Sequence, residues 1–550
     1  MTASIQPASA TSRGAAIAAA VIVLICLFSH QGSLGLVGPD EPRYAWIARN
    51  MAATGDWVTP KLYGQPWLEK PVLYYWAAAL GFAAHLPDEW AARLPSALAA
   101  LAAAAAIGWL GWKHCGFGSG VSSPALLGPL LFSTTVGAIG FARAAGPDML
   151  FAGALMLAMA SATGVLRTCG SLRQASESTA SQPGRDWPSL ACFGASLGLA
   201  VLAKGPAGLI LAVAAVAVWA IATRQWRAAL RLTHPVVIAA WCVVALPWYV
   251  LCALRNPNFL RVFLLEHNFE RYVAPVFHHR QPSWFFLPIL LLALFPWTAL
   301  LFPAALEGFQ QWREKSWIRS PGFFFACWAA APVVFFSFSQ SKLPGYILPA
   351  VPPAALLLGV TLARLLRSDS ALRRWMLAVL GASWILAGAV APRAANLPVG
   401  ARDTLGKELL PAAIVAIAAG CAVCTLSAFR VRAALWCCLL LAPLFVEIAG
   451  LRFLPRLDPY ISARYHEEML RNDRRLDRLF TFRLQRSWSY GLAFYLNRPV
   501  PEWSSSDPEG ALVLTTPEGL VELKQLGRFH GTLEEEYVGI LYVPVGPATH

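Results

Sequence analysis

The sequence predicts an all-α polytopic membrane protein of about 13 transmembrane helices. Interfacial helices are expected in its long outer loops, and a small α/β domain at its C-terminal end. Three observations lead there. Hydrophobic residues make up 57% of the 550-residue chain and charged residues 13%, where soluble domains carry about 25% charged residues. The apolar residues, which raise the mean hydropathy to +0.52, gather in runs long enough to cross a bilayer, roughly 20 residues each. After about Arg452 the runs shorten and the charges become dense.

Taken in order, the first apolar run is Gly14 to Phe28. No small-residue cleavage site precedes the polar loop after it, so it is expected to remain as a first span. Further spans centre on Leu101, Leu131, Leu157, Ala195, Ala214, Val244, Leu292, Val333, Leu356, Leu380, Val415 and Leu441. The net charge of +14 would suggest nucleic acid in a soluble chain. Here the cations fall in alternate short loops, among them Lys113, Arg224 with Arg227, Arg313 with Lys315, Arg364 with Arg367, and Arg430 with Arg432. Basic short loops mark the cytoplasmic side. The opposite, outer side then receives two long loops, 31–92 and 255–283, and the tail. Residues 1–451 are read as the membrane domain and 452–550 as an outer soluble domain.

The first outer loop opens with "DEPRYAWIARNMAATGDWVTP". Tyr44, Ile47, Ala48 and Met51 fall on one face at helical spacing, and Gly55 stops the run. The aromatic stretch "KPVLYYWAAALGFAAHL" repeats the pattern, and both suit helices lying at the membrane surface. In the tail, "LFTFRL", "ALVLTT" and "YVGILYVPV" read as strands, with "PYISARYHEEMLRN" and "PEGLVELKQLG" as helices. The 11 cysteines form no cluster of metal-ligand spacing, and Cys421 with Cys424 on an apolar helix reads as packing.

Polar residues collect at the outer ends of the spans: Asp40, Glu41, Glu69, Lys70, Asp148, Lys204, His267, Arg271 and Lys342. The span centres are nearly free of charge, which argues against an ion-coupled transporter, because such proteins place ionisable groups along the path. A cavity at headgroup depth, open to water and to lipid, suits a lipid-linked phosphate. Lys and Arg would bind the phosphate and stabilise charge as its bond breaks. A carboxylate beside it would orient or deprotonate an attacking group. Each residue also has a plainer use: carboxylates favour helix N-termini, and lysines at span ends snorkel to the surface.

The blocks "PDEPRYAWIARNMAATGDWVTPKLYGQPWLEKPVLYYW", "GPDML", "AKGPAGLIL", "FLLEHNFERY", "HHRQPSWFFLP" and "SKLPGYILPAVPPAALLLG" resemble, in this order, the polyprenyl-phosphate-dependent membrane glycosyltransferases related to the protein mannosyltransferases. Within that group they resemble most the aminoarabinose transferases that modify lipid A. The resemblance implies a GT-C fold in the bacterial inner membrane, with the active site facing the periplasm. It implies a sugar donor on undecaprenyl phosphate, transfer with inversion, and lipid A or another envelope molecule as acceptor. Asp40 would be the acceptor-facing catalytic carboxylate, Glu41 a second, and Asp148 a later acid that helps place the acceptor. Lys70, Lys204, Arg271, Lys342 and Tyr346 would hold the donor phosphate. Some relatives use a divalent metal, for which Glu69 and His267 are the candidates here; no other cofactor is implied. Two alternatives stand beside this reading: the same donor serving a protein or other glycan, and a transporter or binding protein for the lipid-linked sugar.

Overall fold

In the computed structural model the described residues are 10–114, 122–166, 186–270, 272, 281–394, 402–471, 473, 476–504, 510–526, 535–537 and 539–545. They are mostly helical. Eight helices are long and apolar enough to cross a membrane, and their spans contain the expected centres Leu101, Leu157, Ala195, Val244, Leu356, Leu380, Val415 and Leu441. The expected centres Leu131 and Leu292 fall instead on helix pairs bent by 62° and 109°, which bring the number to ten if each pair is one span. Val21, Ala214 and Val333 lie in shorter apolar helices.

The two bends have a common cause. Backbone groups freed by a break in an apolar interior need partners within the protein. At the break between Ser133 and Val136, the Val136 N–H donates to the Phe295 carbonyl at 2.9 Å. Trp297, just past the second break, donates its indole N–H to Thr134 Oγ1 at 2.8 Å. Each broken helix therefore satisfies the other. Close helix approach elsewhere relies on small residues: a Cβ on Gly359 would stand 2.8 Å from the Gly128 backbone.

The outer loop forms the helices foreseen for it. Asp40–Thr54 buries Tyr44, Ile47, Ala48 and Met51 and ends at Gly55, whose φ of 70° closes the last turn with a 3.0 Å bond to the Met51 carbonyl. Leu73–Ala83 packs Tyr74 and Tyr75 around Tyr44, ring centroids 5.9 Å away in each case. Residues 88–92, expected in the loop, already belong to the helix Asp88–His114.

Beyond the last long apolar run the chain forms a four-stranded sheet, in the order Leu479–Phe482, Ala511–Thr515, Ile540–Val545, Glu535–Tyr537. The first pair is parallel, with Leu479 opposite Leu512; the other pairs are antiparallel. Pro517–Gln525 begins at Thr516, whose hydroxyl accepts from the Gly519 N–H at 3.2 Å. The helical run Val431–Ile461 passes through residue 452 without a linker, and the stretch expected as a single helix from Pro459 is broken at Ser462. The helix Arg486–Tyr495, not foreseen, lies against Asp40–Thr54.

Candidate active site

Three parts of the chain meet at the ends of the helices. The first is the outer loop, held down by Asp56. Its Oδ1 accepts from the Val58 and Thr59 N–H groups, both at 3.2 Å, and from Arg255 at 3.1 Å. Its Oδ2 pairs with Lys61 at 2.9 Å. Burial pushes the Asp56 carboxyl up, but the bonds from Lys61, Thr59 and Val58 outweigh it and hold it below the ordinary carboxylate range. A short hairpin, Lys61 against Pro66, turns at Tyr63 and Gly64, which have φ of 51° and 82°, and sends the chain back toward Glu69 and Lys70.

The second part pairs Lys204, the last residue of Trp187–Lys204, with Asp148, in the first turn of Pro147–Leu166. Lys204 Nζ makes an ion pair with Asp148 Oδ1 and stands 4.7 Å from the centre of the Tyr346 ring. The third part supplies His267 and the stretch from Phe335 to Tyr346. These parts enclose a cavity of about 380 Å³, with Lys70, Lys204, His267, Tyr272, Ser339 and Tyr346 among its lining and Ile210 and Phe335 in its apolar walls; Asp148 touches it only through Lys204. Two ammonium groups at one cavity, beside aliphatic and aromatic surface, match the chemistry of a phosphate carrying a hydrocarbon chain.

Asp40 is not among the residues that line this cavity. Its side chain is 58% exposed and ion-paired with Arg43, which is itself only 12% exposed. Arg43 rests over Trp67 and Tyr490, 4.8 and 5.6 Å from the ring centres. Burial keeps the Tyr44 phenol protonated, and the charges of Asp40 and Asp148 both push its pKa further up, so both carboxylates lie within electrostatic reach of one ring. Arg43 likewise feels Asp40 and Glu69. Lys70 and Lys204 thus share the cavity with His267, Asp148 joins them through Lys204 and Glu69 stands 3.8 Å from His267, while Asp40 is tied to the group only through the charges that Arg43 and Tyr44 feel.

Not every expected residue joins it. Glu41 is turned away from its neighbour Asp40 and buried: its Oε2 accepts from Arg93 at 2.8 Å and from the Val37 N–H at 3.0 Å, its Oε1 from the Ala145 N–H at 2.8 Å. With both oxygens engaged it anchors the loop, a different part from the catalytic one expected. Arg93 has the same work on its other side, donating to the carbonyls of Gln31, Leu34 and Gly35 at 2.6–2.8 Å. Lys342 is also corrected: it is buried and donates to the Ser339 carbonyl at 2.6 Å, supporting the cavity wall rather than lining it. Arg271 lies outside the described residues.

These two carboxylates, adjacent in sequence, should separate in experiment. Removing one partner of a buried ion pair costs about 3–5 kcal/mol. Glu41→Ala is expected to lower stability by about that amount, and Asp40→Ala to leave thermal unfolding in detergent near that of the unaltered protein. A Glu41→Ala protein of normal stability and lost turnover would return Glu41 to the catalytic role.

For a metal, His267 Nε2 and Glu69 Oε1 approach to 3.8 Å, and no group of three or more metal-ligating side chains occurs among the described residues. A zinc site needs three or four protein ligands. The pair supplies two ligands at most, so a cation there would take the rest from water and substrate phosphate, and the imidazole suits a transition metal better than Mg²⁺, which prefers oxygen.

Residues 15–263 match the family of the dolichyl-phosphate-mannose-protein mannosyltransferases. Among known proteins, the chain is 33% identical over 347 residues to an undecaprenyl phosphate-alpha-4-amino-4-deoxy-L-arabinose arabinosyl transferase of Edwardsiella ictaluri, covering 63% of this chain and 59% of that one. It is 33% identical over 385 residues to the protein of the same name from Pseudomonas aeruginosa, covering 70% and 65%. The chain therefore spans less than two thirds of the length of these curated relatives. In fold it superposes on the crystal structure of ArnT from Cupriavidus metallidurans bound to undecaprenyl phosphate, with a TM-score of 0.78, 24% identity and coverage of 96% and 98%. Against the apo state of that protein the TM-score is 0.75 at 22% identity, with coverage of 97% and 98%. The chain is thus similar in sequence to the mannosyltransferase family over residues 15–263 and to the aminoarabinose transferases over a longer stretch, and it shares the fold of ArnT.

Proposed function

We propose that this chain transfers a sugar, 4-amino-4-deoxy-L-arabinose, from undecaprenyl phosphate to lipid A at the outer face of the bacterial inner membrane. The observation that carries the reading is the cavity in which Lys70 and Lys204 meet apolar walls; the outer loop that brings Lys70 there also carries the exposed Asp40. The names of the relatives and the undecaprenyl phosphate of ArnT supply the donor class. Counting as spans three of the four shorter apolar helices, those that hold Val21, Ala214 and Val333, gives 13 crossings, and the basic loops favour an inside N-terminus with site and tail outside.

In this reading Lys70 and Lys204 bind the donor phosphate, joined by Arg271. Tyr346 and Phe151 flank Lys204 at 4.7 and 5.8 Å and keep its charge poorly hydrated, which strengthens its hold on the anion. The acceptor oxygen attacks the anomeric carbon, the bond from that carbon to the phosphate oxygen breaks, and the electron pair leaves with the lipid phosphate. Lys204 stabilises the charge developing there. Asp148 orients the Lys204 ammonium and faces the acceptor side. Asp40 aligns an acceptor phosphate, or takes the proton of an acceptor hydroxyl. A divalent cation held by Glu69 and His267 would neutralise part of the phosphate charge when bound.

Deleting the gene and comparing lipid A and envelope glycans by mass spectrometry tests the proposal. Loss of the aminoarabinose adduct from lipid A is expected. Intact lipid A with a missing protein or glycan modification would move the acceptor to the class named by the mannosyltransferase family. Donor trapped on the inner leaflet would point to a transporter instead.

A further inference from the structure

We infer that the tail segment after residue 452 is a clamp on the catalytic loop, and that Asp458, Arg464 and Tyr495 are positioning residues for Asp40. The inference rests on the proposed role of Asp40. Residues 31–37, which lead into the Asp40 helix, have no regular structure of their own beyond one bridge, Val37 to Ser462 of the tail. Their backbone groups are satisfied from outside. The Gly35 N–H donates to Asp458 Oδ1 at 2.6 Å, and the Leu36 N–H to the Tyr495 hydroxyl at 2.7 Å. Arg464 donates to the Gly32 carbonyl at 3.0 Å and pairs with Asp458 Oδ2 at 2.6 Å.

The clamp closes on the membrane helices through Glu89. Tyr495 donates its hydroxyl proton to Glu89 Oε1 at 2.8 Å, and Arg464 reaches the same oxygen at 3.3 Å. Tyr495 thus accepts from the loop and donates to Asp88–His114 through a single atom. There is no slack: a Cβ on Gly35 would fall 2.8 Å from the Tyr495 hydroxyl and 3.0 Å from Asp458 Oδ1. The Asp40 helix itself rests on the same tail helix, with Arg49 donating to the Phe494 carbonyl at 2.9 Å and lying 3.7 Å over the Phe494 ring. Arg43, the ion-pair partner of Asp40, lies over Tyr490.

This arrangement matters for rate because only Gly38 and Pro39 separate residues 31–37 from Asp40. A displacement of about 1 Å in a reacting group lowers turnover by as much as about 10²-fold. The donor lysines Lys70 and Lys204 stand on other elements, so loosening the clamp should move Asp40 without disturbing donor binding.

The test uses the full chain in liposomes with Tyr495→Phe, Asp458→Asn as the second variant, and undecaprenyl-phosphate-linked aminoarabinose with lipid A as substrates. Tyr495→Phe removes one oxygen and leaves the Leu36 N–H without its acceptor. Expected are a kcat about tenfold lower per folded molecule, a donor KM within about twofold of the unaltered value, and faster deuterium uptake confined to residues 33–41. Unchanged uptake in 33–41, or unchanged kcat in both variants, overturns the clamp. So does a kcat loss that follows only the folded fraction. If the unaltered chain transfers no sugar at all, the proposed function fails, while the uptake of 33–41 still decides whether the tail holds the loop.

Discussion

Replacing Lys204 by methionine is expected to slow transfer by about 10²–10³-fold, the loss found when one preorganised group facing a developing oxyanion is removed. Lys204 is 12% exposed, paired with Asp148 and flanked by Tyr346 and Phe151. An ammonium in so dry a position interacts with a phosphate far more strongly than one in water. The loss should fall mainly on kcat, because charge on the phosphate oxygen grows as its bond to the sugar breaks. Methionine fills similar space, and the Asp148 carboxylate, 31% exposed, stays in contact with water, so the fold should survive. Steady-state kinetics on protein that elutes as a single folded species checks it. A kcat within about threefold of the unaltered value would place the donor phosphate somewhere else.

Asp40→Asn has the second large effect, and its size depends on the acceptor. Loss of a general base costs about 10²–10⁴-fold, which is the range expected if a sugar or protein hydroxyl is the nucleophile. The sign of the pH effect follows from the same step. A base works only when ionised, so kcat/KM of the unaltered chain would fall as the pH is lowered, and the asparagine variant would lack that acid limb. A lipid A phosphate is already ionised near neutral pH and needs alignment alone. Asparagine would then remove the ion pair to Arg43 and weaken alignment, giving a smaller loss and pH profiles of the same shape. Measuring both profiles separates proton removal from positioning.

What the sequence made legible follows from local rules. Runs of about 20 apolar residues give the eight long helices, and helical spacing with a terminal glycine gives Asp40–Thr54. Asp148 and Lys204 were recognisable as polar residues at span ends, and their meeting in one ion pair agrees with that reading. The rest depended on contacts distant in sequence. Glu41 differs from Asp40 only because one residue along a helix turns the side chain by about 100°, here toward Arg93 on another helix. The bend near Leu131 rests on Phe295 and Trp297. Lys342 was expected at the donor phosphate, and its donation to the Ser339 carbonyl depends on a local turn that the sequence does not display. The tail helix Arg486–Tyr495 carries Tyr490, Phe494 and Tyr495, aromatics whose purpose appears only once the outer loop they touch is in view. Asp56 had a readable sign, since an Asp two residues before its N–H donors forms a turn with its own backbone, but its ion pairs with Lys61 and Arg255 did not.

One outer site, built from Lys70, Lys204 and Asp40, is proposed to move a sugar off a lipid phosphate. Its most direct test is mass spectrometry of both lipids after the purified chain is incubated in liposomes with undecaprenyl-phosphate-linked aminoarabinose and lipid A. The account predicts lipid A heavier by one aminoarabinose and an equal amount of free undecaprenyl phosphate, with neither formed by the Lys204→Met protein on the same time scale. Donor left intact by folded, unaltered protein, with lipid A and envelope extract both present, would contradict it.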